Sequence, residues 1–240
     1  MNGKQVLCFC LEGLYFVCFR QPTSTSTVLT YPVPSFTALR GLVANCLGRP
    51  RRSIEVSKSR VNLLVDDLDL QDEVRIGIEL LRRGSKNREL AKLLKFNGQD
   101  SIYTRDFPSS PIFKEFLARP AFRVYLIGSA EMLQQIYTKL LDPERPLYLG
   151  QSDDLVDIYD VTAPQSVEEI EAEMCHTLFE GVGEGCELIK LPYAFDESGE
   201  RLRYVGQPPH ILSLPFESKP AKLPKRTRLF KVEDRYVAAY

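Results

Sequence analysis

The sequence predicts an α+β fold. We read a split ferredoxin-like β-α-β-β-α-β domain over residues 1–163, with a long insertion at about 85–120 and a smaller C-terminal region at 164–240. Three observations predict it: two cleanly capped helices, apolar strand patterns before and after each of them, and a 36-residue span, Ser85 to Pro120, between the two middle strands. Lys4 to Phe19 reads as the first strand, bent at Glu12-Gly13. In "TYPVPSFTALRGLVANCLGRPRRS", Pro32 and Pro34 hold the chain extended and Ser35 is placed to cap a helix over 36–47. Phe36, Leu39, Leu42, Val43, Cys46 and Leu47 recur at helical spacing, while Gly48 and Pro50 end the helix. "VRIGIELL" (74–81) has Val74, Ile76, Ile78 and Leu80 on one side, so it is a half-buried strand that stops at Arg82-Arg83-Gly84. "AFRVYLIG" (121–128) is the third strand. Ser129 caps a second helix with Leu133, Ile136, Leu140 and Leu141 on one face, and Asp142-Pro143 stops it. "DDLVDIYDV" (153–161) alternates as a final strand. Beyond it, "SVEEIEAEMCHTLF" reads as an acidic, capped helix, and "KPAKLPKRTRLFK" as a basic, proline-rich RNA contact or exposed connector.

The composition, 44% hydrophobic and 26% charged over 240 residues, is that of a globular chain. The apolar run "VLCFCLEGLYFVCF" is broken by Glu12 and Gly13 and lacks a cleavage site, so it reads as buried strand and not as a signal peptide or membrane span. The expected compartment is therefore cytoplasmic. Six cysteines without a C-x-x-C pair read as buried free thiols. Net charge is −1, but the charges are segregated. Residues 40–60, 74–95 and 217–235 carry six, seven and seven Lys/Arg, whereas 142–173 carry ten Asp/Glu against Arg145. Such a chain can meet a polyanion on one side and a basic partner on another.

The insertion interleaves Lys86, Arg88, Lys92, Lys95, Arg105, Lys114 and Arg119 with Phe96, Tyr103, Phe107, Phe113 and Phe116. Cations that track phosphate beside rings that stack on bases suit single-stranded nucleic acid. The alternative is that the rings pin the insertion to the body. Arg88, Lys92 and Lys95 share a face if the segment is helical. On the first helix, the face opposite the apolar one is bare: Thr37, Arg40, Gly41 and Ala44. A glycine in mid-helix costs about 1 kcal/mol relative to alanine, so something approaches that backbone closely, protein or ligand. No phosphate loop, zinc pattern or hydrolase elbow occurs, and the histidines are His176 and His210 alone. We expect no metal, no cofactor and no catalytic residue. A metal-free ribonuclease using a histidine as general base is the minority alternative, and a protein-only adaptor is a second.

"YPVPSFTALRGLVANCLG" and "PLYLGQSDDLVDI", on this frame, resemble the CRISPR-associated family-five proteins, RAMP-superfamily subunits of type I Cascade complexes, and type I-B members most. Pro32, Pro34, Ser35, Leu39, Gly41 and Gly48 match the first-helix pattern, and Leu149, Gly150 and Ser152 match a later Leu-Gly-x-Ser turn. The resemblance covers about 4–160. It implies an antiviral-defence subunit that caps the 5' handle of the CRISPR RNA, extends a thumb (the insertion) toward a backbone subunit, docks the large subunit, and meets target DNA through the complex. One subtype has a processing endoribonuclease with a tyrosine and a Lys-His pair; this sequence has no Lys-His dipeptide. On this reading RNA lies along Arg20, Tyr31, Ser35, Thr37, Arg40, Gly41 and Asn45, where a helix N-terminus favours anions, and along Lys86, Arg88, Lys92, Lys95 and Arg105 of the thumb.

Overall fold

The structure, a computed structural model, describes residues 3–22, 27–56, 59–64, 67–94, 109–151, 153–195, 202–204 and 211–240. It is a mixed α/β fold, rich in strands. β1 (Gln5–Gly13) is followed by short strands β2 (Phe16–Val17) and β3 (Thr27–Val28) and by helix α1 (Phe36–Cys46). Strands β4 (Arg51–Val56) and β5 (Ser59–Leu64) and helix α2 (Asp67–Glu73) lead to β6 (Arg75–Arg82). Then come β7 (Ser85–Leu94), β8 (Ser109–Ala118), β9 (Ala121–Gly128), α3 (Ala130–Leu141) and β10 (Val156–Tyr159). The remaining described elements are strands: β11 (Gln165–Ser166), β12 (Glu168–Cys175), β13 (Phe179–Glu180), β14 (Glu187–Ile189), β15 (Pro192–Phe195), β16 (Leu202–Tyr204), β17 (Leu212–Leu214), β18 (Ala221–Val232) and β19 (Arg235–Val237).

The main sheet runs β10-β1-β9-β6 with antiparallel neighbours throughout. Side chains alternate across a strand, so β1 serves two cores. Leu7, Phe9 and Leu11 join Phe36, Leu39 and Val43 of α1 and Leu133, Ile136 and Leu140 of α3. Val6 and Cys8 instead meet Phe230, Val232 and Val237 of the C-terminal strands. A second sheet runs β2-β8-β3, with β7 on β8.

α1 follows its sequence signals. Ser35 Oγ accepts from Ala38 N at 3.1 Å. At the other end Gly48 has φ 69°, with Gly48 N donating to Asn45 O and Arg49 N to Ala44 O, the paired bonds of a Schellman cap. Ser129 likewise caps α3 through Met132 N. Leu141, expected on the inner face of α3, is 60% exposed, because the inward stripe ends at Leu140.

Several expectations are corrected. The stretch 4–19 is not one bent strand: β1 belongs to the main sheet, whereas Phe16 and Val17 pair with Ala118 and Leu117 of β8. "SVEEIEAEMCHTLF" is not helical. Glu169, Glu171 and Glu173 alternate with Ile170, Ala172 and Met174, and β12 pairs with β18 in a register that sets Glu168 opposite Lys231 and Glu171 opposite Arg228. Tertiary pairing overrides the helix propensity of Glu, Ala and Met. "KPAKLPKRTRLFK" is accordingly not a connector but largely the central strand β18. The first half of the thumb is strand β7 and not a helix. The pair β4–β5 and helix α2 lie where no element was expected.

Candidate nucleic-acid interface

The thumb is an antiparallel pair whose register sets Lys86 opposite Leu117, Arg88 opposite Glu115, Leu90 opposite Phe113 and Lys92 opposite Pro111. Directly opposed residues share a face, so Lys86, Arg88, Leu90, Lys92, Phe113 and Glu115 stand on one side of the hairpin. Leu90 is 65% and Phe113 50% exposed, and Lys92 is exposed between them and the tip. Glu115 is 6% exposed. Its Oε1 accepts from Arg88 Nη2 at 2.8 Å, and its Oε2 lies 3.5 Å from Lys86 Nζ and 3.4 Å from Thr30 N. Burial by itself would push this carboxyl up; the Arg88 hydrogen bond and the Lys86 charge outweigh it and hold the group below the usual glutamate range. Phe116, on the other face, is buried edge-on against Phe16 at 4.6 Å, so this ring does pin the insertion to the body. Lys95, Arg105, Phe96, Tyr103 and Phe107 lie outside the described residues.

At the thumb base, Lys114 Nζ donates to Gln151 Oε1 at 2.6 Å. Gln151 belongs to the Leu149–Asp154 turn, where Gly150 takes φ 106° and packs so closely on Cys18 O that a Cβ would stand 2.7 Å from it. Asp154 Oδ2 accepts from Cys18 N at 2.8 Å and from Gln151 N at 3.2 Å, fastening the turn to the chain beside Arg20. Burial pushes the Asp154 carboxyl up, against the two amide bonds. Thr30 Oγ1 accepts from Phe19 N at 2.9 Å, and Thr30 bridges Arg20, which is exposed. Lys114, Glu115, Gln151 and Asp154 were not among the expected site residues. The "LGQSDD" turn was legible, but its link to β8 was not, because the Lys114–Gln151 bond joins positions 37 residues apart.

The expected α1 site divides. Arg20 is exposed, and Ser35, Thr37 and Gly41 are partly exposed, with the Ser35 and Thr37 hydroxyls 2.9 Å apart. A Cβ on Gly41 would meet nothing within 4 Å among the described residues, so packing there does not demand a glycine. Tyr31, Arg40 and Asn45 are buried, at 8%, 2% and 3% exposure. The face read as bare is covered at Arg40 and Ala44. Arg40 donates to Tyr193 O and, at 3.3 Å, to Tyr240 O, and its guanidinium lies 5.2 Å from the Tyr193 ring centroid. Asn45 donates to Pro146 O at 2.9 Å. In this packing Arg40 and Asn45 tie α1 to the chain around it and are not presented to a phosphate.

His176 Nδ1 accepts from Tyr236 N at 3.1 Å, and burial holds the imidazole below its ordinary range. His210 lies outside the described residues. Among the described residues there is no cluster of three or more His, Cys, Asp and Glu that would hold a metal, and no helix long and apolar enough to cross a membrane. A cavity of about 560 Å³ lies away from the thumb, against the far end of β6, between Arg75, Phe179, Gly181, Leu223, Arg228 and Tyr240.

Residues 6–201 match the model of the family "CRISPR-associated protein (Cas_Cas5)". No curated protein matches the chain. Among solved structures, a crystal structure of a CRISPR protein from Archaeoglobus fulgidus is similar in fold, with TM-score 0.56 and 12% identity over 97% of both chains. A chain of a "CRISPR RNA-guided surveillance complex" is similar with TM-score 0.53 and 17% identity, over 90% of this chain and 91% of that one. With a match over most of its length, the chain belongs to the CRISPR-associated Cas5 family.

Proposed function

We propose that this protein is a non-catalytic, RNA-binding subunit of a type I CRISPR surveillance complex, type I-B in kind, which holds the 5' handle of the CRISPR RNA and contacts the backbone and large subunits. The observation that carries the reading is the exposed β7–β8 face, where Lys86, Arg88 and Lys92 alternate with Leu90 beside an exposed Phe113. Three cations at period two follow a phosphate backbone, and an exposed ring and an aliphatic side chain offer bases an apolar surface. Family membership and the similarity to a chain of an RNA-guided complex support the same reading. So does the order β10-β1-β9-β6, which is the order that a split ferredoxin-like unit would give its fourth, first, third and second strands. One face of that sheet packs against α1 and α3 and part of the other against β18 and β19, which favours the thumb and the partly exposed start of α1 as the RNA path. His176 spends Nδ1 on a backbone amide, which favours a binding role over acid–base catalysis.

The test is photocrosslinking and incubation of the pure protein with repeat-derived RNA in EDTA. We expect crosslinks within 85–92 and 111–115 and intact RNA. Site-specific cleavage would overturn the non-catalytic assignment. Absence of crosslinks on the thumb and on 20–41 would favour a protein-only adaptor.

A further inference from the structure

We propose that Glu115 is a positioning residue for RNA binding: it holds Arg88 and Lys86 of the thumb in one fixed arrangement with the chain that leads into α1. This role rests on the RNA-binding reading and adds to it a group of the wrong charge for phosphate. A glutamate at 6% exposure is rare unless paired, and this one meets three donors from two separate segments. Oε1 takes Arg88 across the hairpin; Oε2 takes Lys86 and the Thr30 amide. Thr30 in turn bonds Phe19 N and bridges Arg20, and five residues later Ser35 caps α1. The carboxylate therefore joins the thumb cations to Arg20 and the partly exposed Ser35–Thr37 end through a buried contact. Long cationic side chains otherwise lose rotamer freedom on meeting a phosphate, and Glu115 has already restricted two of them. A carboxylate of this kind lowers the thumb charge from three to two when Lys86, Arg88 and Lys92 are counted against it. On charge alone, neutralising Glu115 should tighten RNA binding and steepen its salt dependence. Positioning requires the opposite.

The experiment measures affinity of the full chain for single-stranded repeat RNA across a salt series, for wild type, Glu115→Gln, Arg88→Gln and the double variant, with thermal melts of each. We expect Glu115→Gln to bind roughly tenfold more weakly, the order of one charge-assisted hydrogen bond. Its log-log salt slope should fall by about 0.7 for each phosphate that the variant no longer neutralises. Arg88→Gln should add little once Glu115 is gone. Binding that is equal or tighter, with an equal or steeper slope, or strictly additive losses in the double variant, overturns the inference while leaving RNA binding intact. Wild type that binds no RNA overturns both. If Glu115→Gln fails to fold, Glu115→Asp keeps the charge but shortens the reach, and the same weakening is expected of it; unchanged binding by that variant overturns the inference.

Discussion

Arg40 and Gly41 are adjacent on α1 and have opposite fates. Arg40 is enclosed, and its guanidinium serves the Tyr193 and Tyr240 carbonyls. Arg40→Met should leave the Tyr193 carbonyl without this donor, while Tyr240 O keeps the Ile76 amide, and cost about 1–3 kcal/mol. Calorimetry should show a melting temperature lower by several degrees, with RNA affinity of the folded protein unchanged; selective loss of RNA binding would return Arg40 to the interface. Gly41 has open space around its missing side chain. Gly41→Ala should therefore stabilise the helix by about 1 kcal/mol, and weaken RNA binding if a nucleotide backbone approaches there. A higher melting point with unchanged affinity would place RNA elsewhere. His176 contributes a pH dependence of stability. Burial depresses its proton affinity in the folded state, with Arg235 acting in the same direction and Glu79 and Asp234 opposing. The unfolded chain then binds a proton that the folded chain refuses, so this stability is complete above about 6.5 and is lost as pH falls through the lower folded value. Melts at pH 7.5, 6.5 and 5.5 should drop more steeply for wild type than for His176→Asn, and parallel curves would refute it.

Among the elements, the thumb hairpin and the β12–β18 pair use the same alternation for different ends. In β7 one face is cationic, and among the described residues Glu115 on the same side pairs with Lys86 and Arg88. In β12 the acids face the basic strand β18 and Lys4, which bonds Glu169 at 2.7 Å. Exposed pairs of this kind contribute little each, typically below about 1 kcal/mol, and on β18 the pair is Arg228 with Glu171 at 3.9 Å. The thumb differs from β18 in combining its cations with an exposed ring, Phe113. Lys92 stands beyond the reach of the Glu115 carboxylate, which bonds Arg88, Lys86 and Thr30. Lys92→Gln should flatten the salt dependence by about 0.7 in log-log slope without moving the melting point. Discrimination between RNA sequences should survive, because phosphate contacts position and do not specify. A salt slope equal to wild type would remove Lys92 from the RNA path.

Taken as a molecule, the chain is stitched together through β6. Ile76 and Tyr240 exchange backbone bonds at 2.8 and 3.1 Å, Leu178 N donates to Ile78 O and Ser218 N to Leu80 O. These bonds cover an edge that would otherwise offer unpaired amides and carbonyls. Val237 and Phe230 meanwhile bury Val6, Tyr125 and Ile127 on the sheet face. Residues 1–163 alone should thus expose an apolar sheet face and an open edge, and should aggregate or lose cooperative melting. A soluble fragment with a sharp transition would show that the first 163 residues are self-sufficient.

What was legible in the residues was whatever local physics decides. Ser35, Ser129 and Gly48 announce helix ends because capping bonds span three or four residues. The run 121–128 announces a strand because it is apolar on both sides, and the structure buries it on both faces. The "YPVPSFTALRGLVANCLG" stretch and the "LGQSDD" turn carried the family resemblance, and the family match covers both. Partners distant in sequence decided the rest. "EEIEAEM" has helix-forming residues and strand alternation at once, and only β18, some sixty residues on, selects the strand. Arg40 lies on a polar helix face until Tyr193 and Tyr240 close over it. Glu115 is one acid in a basic insertion until the β7–β8 register puts Arg88 opposite it and the fold brings Thr30 alongside. Periodicity reports which side of an element is apolar; which side is covered, and by what, is set by tertiary partners that no local pattern encodes.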